Sequence, residues 1–154
     1  MAELEEMAAR LEAARDRLHG VPVSDSHELG PADPKTGERW DRLNVLGHTA
    51  EVLPFWSREI RKALDSGVRM GREPGSSGRV EGIESGRLIG EPALRERIDQ
   101  GVAAALGLVR GLSPTDLERE IDTFGRGMIT VRTALESFLV GHLEDHVAQL
   151  TELA

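Results

Sequence analysis

The hydrophobic positions of the chain recur every three or four residues over four long segments, and this spacing predicts four helices. The segments cover residues 2–18, 37–66, 91–111 and 128–153. Gly20 and Pro22 end the first helix, and Gly111 ends the third. Pro54 lies inside the second helix, where it removes the hydrogen bond to the carbonyl of Ala50 and is expected to kink the helix.

The connections between these helices are rich in glycine and polar residues, and residues 20–37 are predicted to form a loop. Glycine recurs along residues 67–90 without a preceding strand signal, at a spacing that is not that of a phosphate-binding loop. We expect this segment to be a mobile surface loop. The alternative is a lid over a site, in which Arg72, Arg79 or Arg87 contacts an anion.

The remaining connection, between the third and fourth helices, shows no strand pattern either. Residues 113–121 begin with a Ser-Pro-Thr-Asp cap and predict a short helix, and residues 123–127 predict a turn. Four helices without convincing strands indicate the all-α class, as a four-helix bundle with long crossover connections. A length of 154 residues corresponds to one domain, which we assign to residues 1–154.

Composition and charge exclude several classes of function. The net charge of −8 and the lack of a basic stripe argue against a nucleic-acid partner. Cysteine is absent, which excludes disulfides, thiolate zinc sites and a thiol nucleophile of the protein's own, and which suits a reducing cytoplasm. The N-terminal segment is charged throughout, and no segment has the apolar length of a membrane span, so no membrane partner is expected.

Two histidines, His142 and His146, lie one helical turn apart in the fourth predicted helix. At about 100° per residue, both fall within roughly 20° of the direction of Leu135, at the centre of the apolar face. Two neutral imidazoles in a core are hard to satisfy separately, but both can point a nitrogen at one cation. The pair therefore predicts a metal site, with a helix end open to water or a carboxylate as the alternative.

A third ligand is expected from another helix that faces the same core. His19, at the exit of the first helix, and His27, in a polar loop, are both expected to be exposed to solvent. His48 lies inside the second helix, away from the dominant apolar stripe of that helix, and periodicity leaves its role open. By elimination, His48 is the best candidate for the third ligand.

Glu51 follows His48 by one turn, and Asn44 precedes it by one. Either side chain is a candidate to face the same cavity. Glu51 is a candidate fourth ligand, hydrogen-bond acceptor behind the ligands, or general base. The alternative is a carboxylate at the edge of the bundle that pairs with an arginine.

The second and fourth helices, RWDRLNVLGHTAEVLPFW and LESFLVGHLEDHVAQL, resemble the two signatures of the DinB-like superfamily. The matching positions are Trp40, His48, Glu51, His142, His146, Gln149 and Leu150. The order of the helices and the long connection between the second and third also match. This resemblance implies a four-helix bundle in which His48, His142 and His146 bind one divalent metal, zinc or nickel above all, and it implies a homodimer.

Known DinB-like proteins include metal-dependent S-transferases that use mycothiol, bacillithiol or glutathione, and the N-terminal domain of mycothiol-dependent maleylpyruvate isomerase is similar. Of the 19 basic residues only two are lysines, and this arginine bias points toward a GC-rich genome and hence toward mycothiol. We expect an S-transferase in which the metal holds the thiol, Glu51 takes its proton or orients a ligand, and Arg79 or Arg87 contacts the cofactor. The alternatives are a hydrolase on the same three histidines and a non-catalytic metal-binding or ligand-binding protein.

Overall fold

The computed structural model describes residues 2–72 and 76–153, and the chain in these ranges is mostly helical. In order, the elements are α1 (Ala2–His19), α2 (Arg42–Ser66), α3 (Ser77–Ile89), α4 (Glu91–Arg110), a 3₁₀ turn (Pro114–Glu118), β1 (Glu120–Thr123), β2 (Gly127–Thr130), α5 (Val131–Ala134), a π-helical segment (Leu135–Val140) and α6 (Gly141–Glu152). The last three elements follow one another without a break, and together they are called the C-terminal helix.

One core of aliphatic side chains joins the long helices. Helix α2 packs against α3, α4 and the C-terminal helix, and α1 packs against α4 and the C-terminal helix. The predicted bounds of the first and third helices agree with α1 and α4, because their apolar positions have a regular helical spacing. Within the described residues, every helix is too short or too polar to cross a membrane.

The second helix begins at Arg42, five residues later than predicted. Its start is a capping box, in which Asp41 accepts a hydrogen bond from the Asn44 amide and the Asn44 side chain accepts one from the Asp41 amide. These two bonds satisfy backbone groups that the helix itself leaves unpaired. The helix can therefore begin at this point, and the residues just before Asp41 form a loop.

The prediction of a loop over residues 67–90 is wrong for its second half, which forms α3. Residues 73–75 of the predicted loop lie outside the described ranges. The glycines of α3 serve close packing, since a Cβ on Gly86 would collide with the carbonyl oxygen of Leu43 on α2. Likewise, a Cβ on Gly47 would lie 2.5 Å from the carbonyl oxygen of Gly82. Helix α3 thus lies with its backbone directly against α2.

The expectation that the chain has no strands is also wrong. Strands β1 and β2 pair in antiparallel fashion, with Ile121 opposite Ile129. The turn between them covers residues 124–126, so the predicted turn over residues 123–127 is correct except for its two end residues, which belong to the strands. Gly125 and Gly127 have φ angles of +82° and +67°, which other residues rarely adopt. The fourth predicted helix therefore begins at Val131 instead of at residue 128.

Candidate metal centre

Three histidine side chains converge where α2 packs against α6. His48 comes from α2, and His142 and His146 come from α6. One ring nitrogen of each histidine lies within 4.8 Å of those of the other two. Nε2 of His48 is 3.4 Å from Nε2 of His142, and the ring centroids of His142 and His146 are 4.4 Å apart. The three rings thus offer three nitrogen ligands to one point, as a divalent cation requires.

The π-helical segment determines which way His142 and His146 point. The buried stripe of the C-terminal helix recurs at steps of four residues: Val131, Leu135, Leu139, Leu143 and Val147. In a regular α-helix each such step drifts by about 40°, so the stripe would leave the core within a few turns. The π turn takes in one extra residue and turns the helix back by about 100°. Leu143 and Val147 therefore stay on the buried face.

The predicted position of the two histidines at the centre of the apolar face is consequently wrong. That prediction assumed a regular α-helix between Leu135 and His146. With the extra residue, His142 and His146 lie roughly 100° away, on the flank of the helix beside His48. Both rings are partly buried, whereas Leu143 and Val147 are buried. The histidines form a wall beside the core and do not interrupt it.

Gln149 and Trp40 hold the histidine rings in place. The side-chain oxygen of Gln149 lies 3.1 Å from Nδ1 of His146, and the indole of Trp40 lies 4.9 Å from the His48 ring. Nε2 of His146 and Nδ1 of His48 are buried and have no hydrogen-bond partner among the described residues. A buried nitrogen without a partner is costly, and a cation held by the three rings would satisfy Nε2 of His146.

Burial keeps all three imidazoles neutral. Burial, followed by the neighbouring His146 and His142 rings, lowers the pKa of His48 to about 2. Burial and the His146 ring lower the pKa of His142 to about 3. Burial also lowers the pKa of His146, against the hydrogen bond to Gln149, which raises it. Neutral rings have the lone pairs that a metal ion binds.

A cavity of about 590 Å³ lies beside the three histidines. The loop before α2 supplies one wall through residues 31–38, and α2 and the C-terminal helix supply the others. Its described lining comprises Pro31, Ala32, Asp33, Pro34, Thr36, Glu38, Trp40, His48, Val52, Trp56, Arg72, Arg79, Ser137, His142, Asp145, His146 and Gln149. The volume suits a small molecule, because ligand pockets have about 300–1,000 Å³.

Two of the three candidate arginines reach this cavity, and each is paired with a carboxylate. Arg72 donates to both carboxylate oxygens of Glu51 and stacks over Phe55 at 3.8 Å. Arg79 donates to Glu38 over 2.8 Å. Glu51 itself is not among the described residues that line the cavity. Glu51 thus forms the pair with an arginine that the sequence analysis gave as the alternative to a role at the metal.

The other candidate residues lie elsewhere. Arg87 pairs with Asp41 at 3.1 Å and is not among the described residues that line the cavity. The side chain of Asn44 is used in the helix cap and in a bond to the carbonyl of Ile83, so it does not face the histidines. His19 is exposed and bonds to Asp99, and His27 is exposed, both as expected.

Two parts of the site are not predicted from the sequence. Trp56 lines the cavity two turns after His48, and residues 31–38 form a wall although they have no periodic pattern. Trp56 and Trp40 are the only two tryptophans of the chain. Since large aromatic residues are rare here, their position on both sides of His48 was the available signal for the cavity.

Comparisons of the chain with protein-family models, with curated proteins and with solved structures give no match. The resemblance to the DinB-like superfamily therefore depends only on the residues quoted for it and stays a prediction. What the protein does has to be inferred from the geometry and chemistry of its own side chains.

Proposed function

We propose that this protein is a metal-dependent S-transferase, which activates a low-molecular-weight thiol for attack on a small electrophile. The observation that carries the proposal is the convergence of three imidazole nitrogens within 4.8 Å in the wall of a cavity of about 590 Å³. Structural zinc sites have four protein ligands, whereas catalytic sites have three and keep a position for a ligand. Three histidines beside a cavity support a site of the second kind.

We propose zinc or nickel as the metal, held by His48, His142 and His146. The buried, unpartnered Nε2 of His146 supports this assignment, because its Nδ1 is already bonded to Gln149. Imidazole ligands suit both metals. No carboxylate of the described chain joins the three nitrogens in one ligand cluster, so the ligand set is neutral.

We also propose that the fold is a DinB-like four-helix bundle. Its helices would be α1, α2, α4 and the C-terminal helix, and the contacts between them support this. Helix α3 would then lie within the long connection between the second and third helices of the bundle. A homodimer and a cytoplasmic location belong to the same proposal.

The residues of the site have distinct roles in the proposed reaction. A divalent metal with neutral ligands keeps its full charge and lowers the pKa of a thiol that it binds. Trp40 and Gln149 fix the orientation of the ligand rings, as partners of metal-binding histidines commonly do. Glu51 does not line the cavity but accepts hydrogen bonds from Arg72, which does. We therefore propose that Glu51 orients a ligand through Arg72 and does not accept the proton of the thiol.

Mycothiol is the thiol that we favour, on the arginine bias of the sequence. Arg79 lines the cavity, and we propose that it contacts the polar groups of the thiol. Arg87, which pairs with Asp41, does not line the cavity, and we therefore leave it out of this contact.

The proposal is tested by incubating the zinc-loaded protein with mycothiol, bacillithiol or glutathione and a generic electrophile, and by measuring conjugate formation. The His142→Ala variant supplies the background. We expect conjugate above that background with at least one thiol. Hydrolysis of an activated ester by the wild type, without any conjugate, would instead favour a hydrolase. Bound metal with neither activity would favour a non-catalytic binding protein.

A further inference from the structure

Each of the two arginines that line the cavity is already paired with a carboxylate. Arg72 is bonded to both oxygens of Glu51, and the two side chains are only 16% and 22% exposed. Arg79 is bonded to Glu38, and these side chains are 17% and 33% exposed. An anionic ligand would have to displace a carboxylate that is already held in a bidentate or partly buried pair.

Two further carboxylates, Asp33 and Asp145, line the cavity. Glu38, the partner of Arg79, lines the cavity too, and Glu51 lies behind Arg72, outside the lining. Among the described residues, four carboxylates therefore lie in or directly behind the cavity wall beside two guanidinium groups. An imidazole that binds a metal through its lone pair is neutral, so the three histidines add no charge in the metal-loaded protein. A divalent cation bound by the histidines would bring the net charge of these carboxylates and arginines to zero. A thiolate bound beside the cation would make that net charge negative again.

An aromatic wall completes the cavity. Trp56 lines it and stacks on Phe138, with ring centroids 4.3 Å apart and an angle of 21° between the planes. Phe55 supports Trp56 from the side, at 4.9 Å. Trp40 lines the cavity next to the histidines. Four of the five aromatic residues of the chain gather here, and a ring fixed by its neighbours is a ready surface for a planar ligand.

We infer that the cavity takes an uncharged, planar, conjugated molecule, which stacks on Trp56 and Trp40 while the metal holds the thiol. This inference rests on the proposed function for the statement that the molecule is the second substrate. An anionic molecule of the same shape is rejected, because it meets a surplus of carboxylates and two arginines that are already paired. The specificity of the enzyme for its electrophile thus lies in the charge balance and in Trp56.

The test measures binding alone and needs no turnover. 2-Naphthol and 2-naphthoate have the same ring system, and at pH 7 only the second carries a charge. Their affinities are measured by calorimetry with the zinc-loaded protein in excess 2-mercaptoethanol and with the metal-free protein. We expect saturable binding of 2-naphthol in both forms, and an affinity for 2-naphthoate that is lower by about tenfold or more.

Two variants locate the bound ring. Trp56→Leu should weaken 2-naphthol binding by about tenfold, since it removes the stacking surface. Phe124→Leu removes an aromatic residue that is 52% exposed outside the cavity lining, and binding should not change. Thermal unfolding of both variants shows whether each is folded.

Equal or tighter binding of 2-naphthoate would overturn the inference, as would a lack of saturable 2-naphthol binding to either form. Equal weakening by both variants would also overturn it. Failure of the proposed function looks different. In that case zinc does not bind or no conjugate forms, while the metal-free protein still prefers 2-naphthol.

Discussion

Nδ1 of His146 lies 3.1 Å from the side-chain oxygen of Gln149, one turn further along α6. Because an amide oxygen only accepts, Nδ1 of His146 donates this bond, and the lone pair of the neutral ring is on Nε2. That Nε2 is buried and has no partner in the described part of the chain. Gln149 thus selects the ring form of His146 that is able to bind a metal.

Removing this acceptor should weaken the metal site. We expect Gln149→Leu to lower zinc affinity by about 10–100-fold, the effect that loss of such partners has in other metal sites. Gln149→Glu keeps an acceptor for Nδ1 and should retain most of the affinity. Zinc affinity is measured by competition with a chromophoric chelator. Equal affinities of the wild type and Gln149→Leu would show that Gln149 does not orient His146.

The close approach of α3 to α2 is expected to make Gly86 sensitive to a single methyl group. Gly86→Ala brings a Cβ against the carbonyl oxygen of Leu43, and overpacking of this kind costs about 1–3 kcal/mol in the free energy of unfolding. Gly107→Ala is the matched control, because a Cβ there meets nothing within 4 Å. The control should stabilise the protein by roughly 0.5–1 kcal/mol. Urea unfolding measures both, and a stabilising effect of Gly86→Ala would contradict the packing.

Helix α3 could not be predicted from the sequence alone. Gly78, Gly82, Gly86 and Gly90 recur every four residues, and glycine in such numbers predicts a loop. The same spacing puts them on one side of a helix, and on that side the Cβ positions of Gly82 and Gly86 meet α2. Local preference favours a loop, and only the contact with α2 makes the helix stable. By contrast, the apolar stripes of α1 and α4 predict these two helices without any information about their contacts.

The sequence suggested which histidines come together, but it did not predict the direction in which His142 and His146 point from their helix. The spacing of His142 and His146 and the elimination of His19 and His27 were sufficient to suggest the three histidines that the structure brings together. The π turn was not visible, because a count of 100° per residue presupposes a regular helix. Nor does periodicity describe the loop over residues 31–38, whose position depends on tertiary contacts such as the bond between Glu38 and Arg79.

Shortening the π turn should remove the metal site while it preserves the helix. Deletion of Ser137 takes the extra residue out, so that His142 and His146 rotate by about 100° relative to Leu135. We expect loss of stoichiometric zinc binding with little change in helical circular dichroism. Ser137→Ala, which keeps the residue count, should bind zinc as the wild type does. Retained zinc binding by the deletion variant would show that the π turn does not position the ligands.

A buried ion pair outside the site should make stability depend on pH. Arg42 and Glu91 are 1% and 6% exposed, and Arg42 donates to both carboxylate oxygens at 2.8 and 2.9 Å. Removing one partner of such a pair costs about 3–5 kcal/mol. We therefore expect Glu91→Gln to lower the free energy of unfolding by this amount at pH 7, as measured by urea titration.

The sign of the pH effect follows from the pKa of Glu91. Burial alone would raise this pKa, but hydrogen bonds from Arg42 and Arg95 outweigh it and lower the pKa below its ordinary value of 4.5. The stabilisation is therefore complete above the pKa of the unfolded chain and is lost as the pH falls through that of the folded protein. The difference between wild type and Glu91→Gln should shrink below about pH 4. A constant difference down to about pH 3 would contradict this.

Metal content tests the central claim most directly. The protein is purified without a tag, exposed to zinc or nickel, freed of excess metal and weighed by native mass spectrometry beside His142→Ala and His27→Ala. His27 is exposed and lies outside the histidine cluster. We predict one metal ion per chain in the wild type and in His27→Ala, and none in His142→Ala. A wild type without stoichiometric zinc or nickel would contradict the metal site and the proposed reaction with it.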